Sequence, residues 1–198
     1  MDDPTADDPN GELVPFATVA DLVEALRLAE DAPSDEVLPI GLHLRQTAEI
    51  LAAAHPDDPE LITAGLVHDL ATALDADCAD HARVGATLVA PLLGGRVASL
   101  VAGHAQAKRY LVTVDASYAG ALSPTSTRTL AAQGGPMTAT EVDAFRTRLQ
   151  WASMVALRRA DDDAKDPDKG VRPLSAWRTV IEEVAARASQ AQPASSDP

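Results

Sequence analysis

The sequence has a single cysteine, Cys78, in 198 residues. An internal disulfide and any cysteine-rich zinc or iron–sulfur site are thereby excluded. Bases are also scarce, with 16 Lys and Arg against 30 Asp and Glu, for a formal charge of −14. That balance argues against a basic groove for nucleic acid, although it leaves room for a local anion pocket. No run of about 18 or more uncharged apolar residues occurs, so no membrane partner is expected. The opening segment MDDPTADDPN has neither the cationic nor the apolar region of a signal peptide. A soluble, cytoplasmic protein is the expectation. Internal repeats and convincing period-two runs of β-branched residues are lacking, which disfavours repeat and sheet architectures.

What is present is a chain with 46% hydrophobic residues, long enough to bury roughly two-thirds of its unfolded surface around one core. Residues 1–12 and 189–198 are acidic or small and polar, and are expected to be disordered around a single domain spanning 13–188. Six acids lie in those ends, so the body carries −8. Within the body, apolar residues recur at steps of three and four, which predicts an all-α bundle. Helices are expected over Thr18–Asp31, Leu38–Ala54, Pro59–Thr72, Cys78–Leu93, Arg96–His104, Pro124–Gln133, Thr140–Ala164 and Pro173–Ala188. Asp58 before Pro59 and Ser123 before Pro124 read as N-caps with proline at the first helical position. Thr138 with Glu141 reads as a capping box, while Gly94-Gly95 and Gly134-Gly135-Pro136 read as stops.

The five histidines are not scattered at random. His43, His68, His81 and His104 fall on or at the ends of predicted helices, and His68 is followed at once by Asp69 after an apolar run. Adjacent helical residues diverge by about 100°, so one ion cannot take both from a regular helix. At a helix C-terminus, however, the backbone can turn both inward, with the carboxylate bridging two ions and the imidazole binding one. The remaining ligands would come from neighbouring helices, including an acid among Asp161, Asp162 and Asp163. Imidazoles with carboxylates and no thiolate suit iron or manganese, and less distinctively zinc or magnesium. His55, in the run AAAHPDDP, reads as an ordinary surface histidine.

This arrangement resembles the HD-domain superfamily, whose motif is a histidine, a His-Asp pair and a late aspartate, with two further histidines in the dinuclear branch. The resemblance spans roughly residues 36–170 and implies an HD-domain bundle around a central dinuclear site. Downstream residues narrow it. Lys108 stands one turn beyond His104, Ser126, Thr129 and Gln133 share a helix face, and Arg158 lies one turn before Asp161. A lysine, an arginine, two hydroxyls and an amide beside metals would form an oxyanion pocket.

The run AKRYL, the Leu-Ser-Pro segment ending in Gln133-Gly134-Gly135-Pro136-Met137, and Arg158 through Asp161 to Lys165 closely resemble the phosphonate-degrading HD-domain oxygenases, typified by 2-amino-1-hydroxyethylphosphonate dioxygenase. The resemblance implies O2-dependent cleavage of the C–P bond of a 1-hydroxyalkylphosphonate, giving phosphate and a carboxylate. It further implies two iron ions in a mixed-valent Fe(II)/Fe(III) state. His43, His68, Asp69 and Asp161 would hold one iron and His81 and His104 the other, with Asp69 bridging, while Lys108, Ser126, Thr129, Gln133 and Arg158 would bind the phosphonate.

Relative to the amino-phosphonate pattern, Glu36 fits a family glutamate near the other end of the substrate, but Pro33 replaces a tyrosine and Thr72 a histidine. These departures predict a different C1 substituent. Two alternatives compete: a metal-dependent HD phosphohydrolase acting on a nucleotide or phosphomonoester, and a catalytically silent binding module that keeps the fold.

Overall fold

In a computed structural model the described residues are 13–34, 38–74 and 80–191. Among them the protein is all-helical, and no strand occurs. The helices are α1 (Val19–Leu28), α2 (Ile40–Ala54), α3 (Pro59–Val67), α4 (Leu70–Ala73), α5 (His81–Val114), α6 (Ala116–Ala121), α7 (Pro124–Ala132), α8 (Ala139–Arg146), α9 (Trp151–Asp163) and α10 (Arg178–Ala191). A 3-10 turn over Leu174–Trp177 leads into α10.

Local chemistry sets several of the starts. Asp58 accepts a hydrogen bond from the Leu61 amide ahead of Pro59, and Ser123 does the same for Ser126 ahead of Pro124. Thr138 and Glu141 form the predicted capping box, and Thr18 with Asp21 forms a second at the head of α1. Gly134 and Gly135 take φ of +98° and +70°, ending α7 in a conformation that side chains with a Cβ avoid.

The centre of the bundle is the antiparallel pair of arms within α5. Gly94, at φ 83° and ψ 170°, is non-helical. The two arms reverse direction there, as the predicted Gly94-Gly95 stop requires. A straight helix would hold His81 and His104 about 35 Å apart at 1.5 Å per residue, yet their Nε2 atoms lie 3.0 Å from each other. The most apolar 18-residue window of α5 has a mean hydropathy of 1.6, which is enough on composition to cross a membrane. Of that window 39% is buried, where α5 packs on α3, α9 and α10, and mid-helix Arg96 is paired with Asp58 and Glu60.

Leu66, Leu93, Leu100, Met154, Leu157 and Ile181 are fully buried between these elements, each contributing about 1.5–3 kcal/mol relative to exposure. Gly103 permits the α5–α9 approach, because a Cβ there would lie 2.4 Å from Met154 Sδ.

Three predicted helices are corrected. Pro59–Thr72 breaks at His68 and Asp69, where Asp69 sits at φ −110°, ψ 9° between α3 and α4. The helix predicted to end at His104 runs on to Val114. Thr140–Ala164 is two helices, α8 and α9, separated by a turn over residues 147–150. A straight helix would place residues 145 and 151 about 240° apart, whereas the turn brings both Phe145 and Trp151 onto the Tyr110 ring, at 5.0 and 6.2 Å. The helix predicted to begin at Cys78 is described from His81. Cys78 and Glu36 lie outside the described residues, as do the segments 1–12 and 192–198.

Candidate metal centre and its anion pocket

Five elements converge on one point of the core. His43 comes from α2, His68 and Asp69 from the α3–α4 break, His81 and His104 from the two arms of α5, and Asp161 from the last turn of α9. These residues form two groups whose ligand atoms lie within 4.8 Å of one another: His43, His68, Asp69 and Asp161, and Asp69, His81 and His104. Asp69 belongs to both. Its Oδ1 lies 3.3 and 3.4 Å from Nε2 of His81 and His104, and its Oδ2 lies 3.6 and 3.9 Å from Nε2 of His68 and His43. Asp161 Oδ1 closes the first group at 3.3 Å from His43 Nε2.

The tautomers follow from the backbone. Nδ1 of His43, His68 and His104 donates to the carbonyls of Ala164, Gly65 and Val101, at 3.0, 2.9 and 2.6 Å. A carbonyl only accepts, so Nδ1 carries the proton and Nε2 turns its lone pair inward. Inward-facing nitrogens then meet at 3.3 Å between His43 and His68 and at 3.0 Å between His81 and His104. Asp69 Oδ1 is buried and accepts no hydrogen bond among the described residues. Lone pairs and a buried carboxylate oxygen aimed at common points repel unless a cation or proton lies between them, and fixed imidazole tautomers are what metal ligands require. The donor set therefore fits two ions bridged by one carboxylate.

The electrostatics agree. Burial would lower the pKa of His68, but Asp69 and Asp161 outweigh it and raise it to about 9. Burial lowers His104 to about 4 despite Asp69. Burial also opposes ionisation of Asp69 and Asp161. Even so, His68, His104 and His81 hold Asp69 well below the usual carboxylate range, and Arg158 with His43 and His68 does the same for Asp161. The two carboxylates thus favour positive charge at the centre of the site, which is what holds the His68 proton and what a metal ion would supply in its place.

A cavity of about 350 Å³ opens beside these groups, its lining including Lys108, Ser126, Thr129, Gln133, Arg158 and Lys165 together with Pro33, Ser34, Ile40 and Thr72. Lys108 is 3% exposed and donates to Thr129 Oγ1 at 2.7 Å. Burial, then the Arg158 charge, lowers its pKa to about 8. The buried Arg158 donates from Nη1 to Asp161 Oδ2 at 2.6 Å and from Nη2 to Ser126 Oγ at 3.3 Å.

The structure thus brings eleven of the twelve residues singled out in the sequence to one cavity or its metal-side wall, and the twelfth, Glu36, is outside the described residues. Sequence reasoning missed the placement of Lys165, Thr125, Ser34 and Ile40 on the cavity wall, and of Tyr118 and Asp162 behind Arg158. Asp162 carried a signal, four residues after Arg158 on one helix face. Tyr118 carried none, since it arrives on a separate short helix.

An all-α bundle with a carboxylate shared by two histidine pairs, opening on a cation-lined cavity, defines a helical metalloenzyme scaffold. Over 150 residues the chain is 35% identical to hydroxymethylphosphonate dioxygenase of Gimesia maris, spanning 71% of this chain and 74% of that protein. Over 135 residues it is 30% identical to [1-hydroxy-2-(trimethylamino)ethyl]phosphonate dioxygenase (glycine-betaine-forming) of Leisingera caerulea, spanning 64% of this chain and 68% of that protein. An uncharacterised protein of Acanthamoeba polyphaga mimivirus, L432, is 26% identical over 146 residues. No protein-family model matches the chain. The chain belongs to the phosphonate dioxygenase family. That membership makes it an enzyme of the dioxygenase class, and its two histidine and aspartate groups could hold metal ions.

Proposed function

We propose that this HD-domain enzyme uses O2 to cleave the C–P bond of a 1-hydroxyalkylphosphonate with a small, uncharged C1 substituent, hydroxymethylphosphonate being the simplest. The observation that carries the reading is the meeting of two features in one cavity: a carboxylate, Asp69, turned toward two histidine pairs, and a wall of buried cations and hydroxyls. His43, His68, Asp69 and Asp161 would hold one iron and His81 and His104 the other, with Asp69 shared. Iron in a mixed Fe(II)/Fe(III) state, with O2, would supply the redox chemistry: C1 is oxidised to a carboxylate while O2 is reduced, and the C–P bond is replaced by a P–O bond.

The chain's own residues bind and aim the substrate. Lys108 and Arg158 offset the phosphonate charge, and Ser126, Thr129 and Gln133 hydrogen-bond its oxygens, so that C1 faces the histidine side of the cavity. Burial strengthens each of these contacts and excludes water from the reacting carbon. Among the described lining residues, Pro33, Ser34, Ile40 and Thr72 are uncharged and non-aromatic. A trimethylammonium group, best held by an aromatic cage, finds none among the described lining residues.

The test is phosphate release from hydroxymethylphosphonate by iron-loaded protein in air and under argon. Release confined to the aerobic arm is expected. Equal release without O2 would overturn the reading in favour of metal-assisted phosphohydrolysis, in which a metal-bound water attacks phosphorus.

A further inference from the structure

Behind the phosphonate wall, Arg158 is gripped on the edge away from Ser126 and Asp161. Its Nε donates to Asp162 Oδ2 and to Tyr118 Oη, each at 2.9 Å, and its Nη2 donates to Asp162 Oδ1. Tyr118 Oη in turn donates to Asp162 Oδ2 at 2.5 Å. The fork of Nε and Nη2 on both oxygens of one carboxylate is the geometry in which a guanidinium is held in plane as well as in place. Residues 158, 161 and 162 follow at i, i+3 and i+4 on α9, so one arginine spans two acids on one helix face. Tyr118 reaches the same point from α6 and closes a triangle that no single helix could build. Neither Tyr118 nor Asp162 lines the cavity.

We infer that Asp162 and Tyr118 are positioning residues that clamp the Arg158 guanidinium, so that its Nη edge faces the phosphonate while Nη1 steadies Asp161. Without the clamp, a side chain with four rotatable torsions must be ordered by the substrate itself, and affinity falls by the cost of that ordering. Asp162 also supplies a second negative charge to an arginine already shared with Asp161, so the guanidinium is not drawn wholly onto the metal side. This inference rests on the reading of Arg158 as a phosphonate ligand.

The test is isothermal titration of methylphosphonate, which lacks the 1-hydroxyl, into iron-loaded full-length protein under argon, with variants compared at equal iron content. Asp162→Asn keeps the shape but loses the charged fork and should weaken binding by about tenfold or more, while Tyr118→Phe, which keeps the ring, should weaken it by about threefold to tenfold. In an Arg158→Lys background, where the fork cannot form, Tyr118→Phe should change the dissociation constant less than about twofold. In turnover with hydroxymethylphosphonate, KM should rise more than kcat falls. A residue that merely supported the fold would lower the melting temperature and leave the dissociation constant of the folded fraction unchanged. Should Asp162→Asn fail to fold, the Tyr118→Phe cycle decides alone. Wild-type protein that binds methylphosphonate, with variants of equal affinity, overturns the clamp alone. Wild-type protein that does not bind methylphosphonate overturns the phosphonate pocket and the clamp with it.

Discussion

Replacing Lys108 by methionine should make the protein more stable and a worse phosphonate binder. The ammonium is 3% exposed, and burial, reinforced by Arg158, lowers its pKa from an ordinary 10.5 to about 8. At about 1.4 kcal/mol per pKa unit, holding that charge in the folded state costs about 3 kcal/mol at neutral pH. Methionine fills a similar volume without charge. The lost hydrogen bond to Thr129 returns about 1 kcal/mol, and Thr129 Oγ1 keeps its bond to the Ser126 carbonyl. The net gain is about 2 kcal/mol, or a melting temperature higher by roughly 4–8 °C for a chain of this size.

The pH dependence has a definite sign. Below pH 8 the lysine is protonated in both folded and unfolded states, and the destabilisation is fully present. Between pH 8 and 10.5 the unfolded chain keeps the proton that the folded chain has released, so wild-type stability rises with pH and the advantage of the variant shrinks toward zero. The assay is thermal melting of chelator-treated wild type and Lys108→Met from pH 6 to pH 10, paired with anaerobic titration of the iron-loaded proteins with hydroxymethylphosphonate. Affinity should fall about tenfold to a hundredfold, as expected for a charge-assisted contact. A variant that melts below wild type at pH 7 would refute the burial argument, and one that binds phosphonate normally would refute the role of the lysine.

Two further outcomes follow from the geometry. Asp69→Ala should retain less than one iron per chain by elemental analysis, because one carboxylate faces both histidine pairs; a variant holding two equivalents would show that Asp69 does not bridge. Gly41→Ala should destabilise by about 2 kcal/mol or more in urea denaturation, since the added Cβ would lie 2.5 Å from Glu30 Cα and 2.9 Å from the Ala29 carbonyl oxygen, which are backbone atoms that cannot swing aside. A loss below about 0.5 kcal/mol would mean that the α1–α2 connection relaxes.

Much of this protein was legible before any coordinates. Asp58-Pro59, Ser123-Pro124, the Thr138 and Glu141 box and the Gly94 reversal are written within a few residues of where they act, because caps, proline and glycine work through the backbone next to them. The histidines and acids were legible as a set, since few folds bring so many neutral imidazoles and carboxylates into one core without a metal to hold. Tertiary structure decided the rest. The turn that splits α8 from α9 contains neither glycine nor proline and exists because Phe145 and Trp151 both pack on Tyr110. The inward turn of Asp69 needs α5 to present His81 and His104 across from it. The grip on Arg158 depends on Tyr118, forty residues earlier in the chain. Local propensity reaches about one helical turn along a sequence, whereas a site shared by five elements is set by how their buried faces pack, and its geometry becomes readable only once they have packed.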